Sequence, residues 1–294
     1  INFYHSLIFF NLCITLAGIE YLREGSFLII SLFLILTIGI SHGSLDHIKG
    51  KKLIKYLGYK SISVFYLGYI FVGITTIIIW LIFPKFLLFL FLIIAAFHFG
   101  KEDSEFIDKK KNFELVYFLK GSLIISAPLF FHKGETLAIF ETLNFNISNS
   151  FLIANEILIL FVLLSLVSGV FLSLKKNIEV KSLLLMDYLS ILVLNYFLNP
   201  IIAFTVYFCF LHSIRHSMSL INEINKNLKK GLPIFIKKAL PLTILTIIGY
   251  ILSILVLNNY NELNETIYQV IFIGLASLTF PHILLEYLIG KNEQ

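Results

Sequence analysis

Charge is what this 294-residue chain has least of: Asp, Glu, Lys and Arg make up 14% of it, against about 25% in an ordinary globular domain. Apolar residues reach 58% and the mean hydropathy is +0.89, which excludes a water-soluble enzyme. Disorder is excluded as well, because it needs low hydrophobicity. Cysteine is scarce too: Cys13 and Cys209 stand alone in apolar runs, so a disulfide scaffold is excluded. Low-complexity linkers, internal repeats and any obvious soluble domain are also missing. The formal charge of +5 would mark a nucleic-acid surface only if the lysines shared one folded face. They sit instead in short loops between apolar segments, so no nucleic-acid partner is expected. The chain starts with Ile rather than Met, so it reads as trimmed, and signal-peptide arguments carry little weight there.

A membrane-crossing helix needs roughly 20 mostly apolar residues. About ten such stretches are present, from Ser6 to Leu22, Phe27 to Ile48, Ile62 to Phe83, Phe86 to Gly100, Phe113 to Phe131, Phe151 to Leu174, Leu183 to Asn199, Ile201 to Ile221, Leu242 to Leu257 and Ile267 to Ile289. Cytoplasmic loops carry excess Lys and Arg. Lys49, Lys51, Lys52, Lys55 and Lys60 follow the second stretch, Lys101 and Lys109 to Lys111 the fourth, Lys175, Lys176 and Lys181 the sixth, and Lys226, Lys229, Lys230, Lys237 and Lys238 the eighth. The odd-numbered connections hold only Arg23, Lys85 and Lys133. This asymmetry predicts an all-α polytopic protein of about ten spans with both termini cytoplasmic, forming one membrane domain over residues 1–294. The longest outer loop, His132 to Ser150, is expected to hold a short interfacial helix.

Six of the eight histidines fall toward the C-terminal ends of even-numbered stretches: His42, His47, His98, His212, His216 and His282. Under that topology all six lie near one leaflet, and ionisable residues inside spans are costly enough to be functional by default. His5 and His132 fall outside the pattern and read as interfacial. In H-S-I-R-H, the i,i+4 spacing puts His212 and His216 on one helix face. In S-H-G-S-L-D-H, His42 and His47 stand about 140° apart on a regular helix, so one metal cannot take both unless the helix unwinds near Gly43. His42 is the expected ligand because Asp46 at i+4 can take its second N–H. Glu102 stands at i+4 from His98 and Glu286 at i+4 from His282, as outer-shell carboxylates do around metal-bound imidazoles. A lone imidazole near a helix end also interacts with the helix dipole or headgroups. Arg215 reads as an inside-positive anchor, and Lys120, Glu156 and Asp187 as paired or snorkelling charges.

Imidazole donors without a thiolate suit Zn, Cu, Fe or Ni, and burial among apolar helices points to a lipid-soluble substrate. A membrane metalloenzyme is therefore expected, with iron the first choice. Three rivals belong to other classes. A b-type haem electron carrier also uses histidines on membrane helices, and a transporter also uses intramembrane charges. A membrane di-iron oxygenase or desaturase normally needs consecutive His pairs, and this chain has none.

The set S-H-G-S-L-D-H, F-H-F-G-K-E-D, H-S-I-R-H and F-P-H, in that order, resembles the Brp/Blh family of β-carotene 15,15′-dioxygenases found with microbial rhodopsins. Where that family often has Pro before the first motif's His, this chain has Ser41. The resemblance implies non-haem Fe(II) held by His42, His98, His212 and His216, with His47 and His282 nearby. It also implies cleavage of the central double bond of β-carotene by O₂ to two molecules of retinal, in the inner membrane of a bacterium, with a link to a rhodopsin through retinal.

Overall fold

The computed structural model describes residues 1–19, 22, 27–104, 107, 113–145 and 154–292; the side chain of His42 lies outside the described set. All regular structure there is helical. The helices are α1 (Asn2–Ala17), α2 (Leu28–Tyr56), α3 (Ser63–Ile82), α4 (Pro84–Glu102), α5 (Glu114–Phe131), α6 (Lys133–Thr142), α7 (Asn155–Ser173), α8 (Ile178–Phe197), α9 (Pro200–Ile224), α10 (Leu228–Leu257) and α11 (Leu263–Asn292). Among the described residues nine of these are long and apolar enough to cross a membrane, and each matches one expected stretch. The remaining expected stretch, Ser6 to Leu22, is the 16-residue α1, short of the roughly 20 residues a crossing needs. α6 is the short helix expected in the outer loop.

Local chemistry explains where the helices begin. The Asn177, Asn199 and Asn227 side chains accept from backbone N–H groups in the first turns of α8, α9 and α10, and Pro200 occupies the first position of α9. Such caps satisfy donors that would otherwise stay orphaned. Apolar side chains such as Leu67, Phe71, Ile74, Ile78 and Leu81 on α3 are exposed. Water would not tolerate such a stripe on a monomer, whereas hydrocarbon does.

Two helices leave the α pitch. α2 runs as an α segment to Leu34, a π turn over Ile35–Gly39, a 3-10 turn over Ile40–Leu45, and α again from Asp46. α9 carries a π turn over Tyr207–Ser213 between regular segments. These interruptions hold His42 and His212, and pitch changes inside helices recur at functional sites.

The contacts gather into two compact units. The first comprises residues 1–35 and 89–216. In it α5 lies along α7, and α1 lies along α8. Gly100 and Gly121 let the α4 and α5 backbones touch, since a Cβ on either would overlap a carbonyl of the other helix. Small residues permit such crossings in membranes. The second unit comprises residues 36–88 and 217–294. Leu53 and Ile54 of α2, Phe65 of α3, and Leu285 and Ile289 of α11 form one of its buried clusters. Leu45 packs with Leu220, Ile221, Phe235 and Ala239 in another.

Candidate histidine–carboxylate site

In the first unit the end of α4 meets the middle of α9. His212 and His216 are buried at 1% and 8% exposure, and both address consecutive carboxylates. His212 Nδ1 lies 3.1 Å from Asp103 Oδ1, and His216 Nδ1 lies 2.7 Å from Glu102 Oε2. An ionised carboxylate only accepts, so the Nδ1–H of His212 donates to Asp103, while Nδ1 of His216 stands at ion-pair distance from Glu102. Outer-shell carboxylates fix metal-binding histidines in this tautomer. The i,i+4 pair thus presents both rings to one short segment.

Asp103 is the hub. Its second oxygen accepts from Tyr207 Oη at 2.7 Å, while Lys120 Nζ donates to its backbone carbonyl at 2.7 Å and to Ser104 Oγ at 3.0 Å. Gly100 and Gly121 bring α5 close enough for Lys120 to reach the C-terminal end of α4, where the helix dipole favours a cation. Burial pushes the Asp103 carboxyl up, but the His212 hydrogen bond and the charges of Lys120 and Arg215 outweigh it and hold the group below the usual carboxylate range.

His98 is buried on α4, its ring centre 5.3 Å from that of His212. Metal–nitrogen bonds of about 2.1 Å place the ring centres of two shared ligands roughly 5 Å apart, so this spacing suits a pair. Phe99 packs edge-on against His212 at 4.8 Å and Phe208 stacks on it at 5.9 Å, shielding the ring from water. A neighbouring cavity of about 10 Å³ is lined by Phe99, Asp103, Lys120 and Asp187, and that is room for about one water molecule, not a polyene. Arg215 pairs with Asp187 through both nitrogens, at 2.7 and 3.0 Å, and Ser6 bridges the two.

The second unit holds another pairing. Both oxygens of Asp46 lie 2.9 Å from His282 Nδ1, and Tyr69 Oη donates to Asp46 at 2.8 Å. His47, half-buried, uses Nδ1 on the Ser44 carbonyl at 2.9 Å. Glu286 forms an ion pair with Lys49.

These contacts redistribute the expected partners. Glu102, expected on His98, reaches His216; Asp46, expected on His42, holds His282; Glu286, expected on His282, holds Lys49. The His42 side chain itself lies outside the described residues. Arg215, expected as an anchor, is a buried ion-pair partner, and His5, expected at the interface, donates to the Phe210 carbonyl. Asp103 went unassigned in the sequence, although it follows Glu102 directly in F-H-F-G-K-E-D. The signal for Lys120 and Asp187 was their charge inside apolar spans.

The donor chemistry fits a first-row transition metal: buried imidazoles, with Nδ1 of His212 and of His216 each against a carboxylate. Among the described residues no group of three His, Cys, Asp or Glu side chains is arranged to hold a metal ion. The fit is therefore one of donor type and outer-shell engagement. The fold and site define an integral-membrane helical protein with carboxylate-held histidines. The chain belongs to the β-carotene 15,15′-dioxygenase family, whose model matches residues 33–289. It is 28% identical over 263 residues to a β-carotene 15,15′-dioxygenase of uncultured marine bacterium 66A03, covering 87% of this chain and 91% of that protein. No solved structure matches the chain.

Proposed function

We propose that this chain cleaves the central double bond of β-carotene with O₂, giving two molecules of retinal, and that it uses non-haem Fe(II) held by His98, His212 and His216. The observation that carries the reading is the pair of consecutive carboxylates on the Nδ1 atoms of His212 and His216, in a chain of this family. Bound iron supplies electrons and Lewis acidity for dioxygen chemistry. The protein supplies the rest. Asp103 fixes the His212 ring in the tautomer that leaves Nε2 basic, Glu102 stands against Nδ1 of His216, Tyr207 and Lys120 fix Asp103, and Phe99 and Phe208 keep the ring of His212 dry. A rigid polyene positioned with its midpoint at the metal would set which bond is cut. The lysine asymmetry of the loops supports an orientation with the histidine-rich ends toward the cytoplasm, and the relative from a marine bacterium supports a bacterial inner membrane. Retinal as product would link the protein to a rhodopsin.

The test is expression in β-carotene-producing cells. Colour should fade as retinal accumulates at two molecules per carotene consumed, and iron should co-purify with the protein. Persistent carotene, or aldehydes from off-centre cleavage, would overturn the reading. The fourth ligand expected from the sequence is examined by H42A, in which retained iron would remove His42 from the set.

A further inference from the structure

We infer that the N-terminal helix α1 positions the histidine-bearing helix α9, with His5 and Ser6 as its two positioning residues. The inference rests on the reading above that His212 and His216 bind metal. α1 lies outside the stretch that the family model matches, so nothing in the family description covers it.

Two consecutive α1 residues grip α9 on either side of His212. His5 Nε2 lies 2.8 Å from the Phe210 carbonyl. Since a carbonyl only accepts, the proton is on Nε2 and the imidazole donates. Phe210 belongs to the π turn Tyr207–Ser213, where the regular hydrogen-bond ladder is interrupted and buried carbonyls need donors. Ser6 is fully buried and uses its hydroxyl in both directions, donating to Asp187 Oδ1 at 2.7 Å and accepting from an Arg215 nitrogen at 2.7 Å. Arg215 directly precedes His216.

The grip matters because of what a π turn costs in definition. Converting it back to regular pitch shifts the register by one residue and turns the following side chains by about 100°. That would turn Arg215 and His216 relative to the part of α9 that precedes the turn. Holding a carbonyl at position 210, inside the π turn, and a guanidinium at position 215, just past it, fixes the stretch that carries His212. Simple apolar packing of α1 would not need two polar groups with directional bonds at adjacent positions.

The experiment uses the full chain stripped of metal and titrated with Co(II), whose visible absorption reports the number and geometry of nitrogen ligands. H5F keeps a ring but removes the donor, S6A removes only a hydroxyl, H5Q restores a donor, and N11A alters an exposed α1 residue as control. H5F and S6A should each weaken Co(II) binding by about tenfold, as loss of outer-shell support does, and change the absorption band. H5Q should recover most of both, with N11A matching the parent. Parental affinity and spectrum in both H5F and S6A would overturn the inference, as would H5Q failing as badly as H5F. If H5F does not fold, S6A carries the same readout. H212A, run in parallel, separates the two levels. Cobalt binding retained there overturns the metal reading and this inference with it, whereas cobalt lost there but unchanged in H5F and S6A overturns the role of α1 alone.

Discussion

Each unit of this protein contains a buried carboxylate on a histidine Nδ1, yet the two clusters are built differently. In the first, two imidazoles one turn apart meet two carboxylates at consecutive positions, and a lysine, a tyrosine and an arginine–aspartate pair surround them. In the second, a single carboxylate takes one imidazole through both oxygens and one phenol, the neighbouring His47 turns to its own backbone, and the next carboxylate is spent on a lysine. One carboxylate per ring leaves each Nε2 aimed by its own partner, and that is the pattern of a ligand set. Asp46, like Asp103, also takes a phenol, but the second cluster offers one such ring instead of two. The difference teaches that counting histidines overstates a site; what discriminates is how many rings have a dedicated acceptor.

The comparison breaks most visibly at the rings themselves. H212A and H216A should each lose bound iron and lower retinal formation at least about 100-fold, measured as iron per protein and retinal released. H282A should retain more iron than either. Equal losses in all three would erase the distinction between the clusters. A step smaller is D103N, which replaces the acceptor of His212 and Tyr207 by an amide. It should weaken metal binding about 10- to 100-fold, while D46N weakens it less. The reverse order would move the site to the second unit.

Much of this was legible beforehand. Nine of the ten expected spans and the short outer helix follow from runs of apolar residues, because a helix satisfies its own backbone in hydrocarbon, whereas the lysines at its start hid the first 14 residues of α10. The histidines declared themselves as ionisable groups in spans. Their partners did not. The i,i+4 rule finds neighbours on the same helix, but Glu102 reaches His216 and Asp103 reaches His212 across helices, and no spacing within one segment encodes that. The pitch changes at Ile40–Leu45 and Tyr207–Ser213 were hidden for a related reason. They arise from packing, and the local residues alone do not demand them. His5 looked interfacial because it stands near the start of an apolar run, whereas its acceptor lies 205 residues away.

Away from the rings, the clusters differ in how their charges are buried. Asp187 and Arg215 are 2% and 5% exposed. D187N would leave the guanidinium facing a neutral amide, and breaking one side of a buried pair costs about 3 kcal/mol or more. Thermal unfolding in detergent should therefore show a lowered midpoint, and an unchanged midpoint would mean that Ser6 alone satisfies Arg215.

The smallest effect is expected at Lys49 and Glu286, whose side chains are each 23% exposed. Solvent screens a pair at that depth, and its two long side chains lose rotamer freedom to hold one geometry, so E286Q should change stability by no more than about 1 kcal/mol. The amide of Gln can still accept from Lys49, which reduces the change further. The same substitution is informative about the chemistry. Since Glu286 was expected to orient His282 but is held by Lys49 instead, E286Q should leave metal content and retinal formation at parental levels. A fall in iron would return Glu286 to the outer shell of the ligand set and make the second cluster part of the metal-binding machinery.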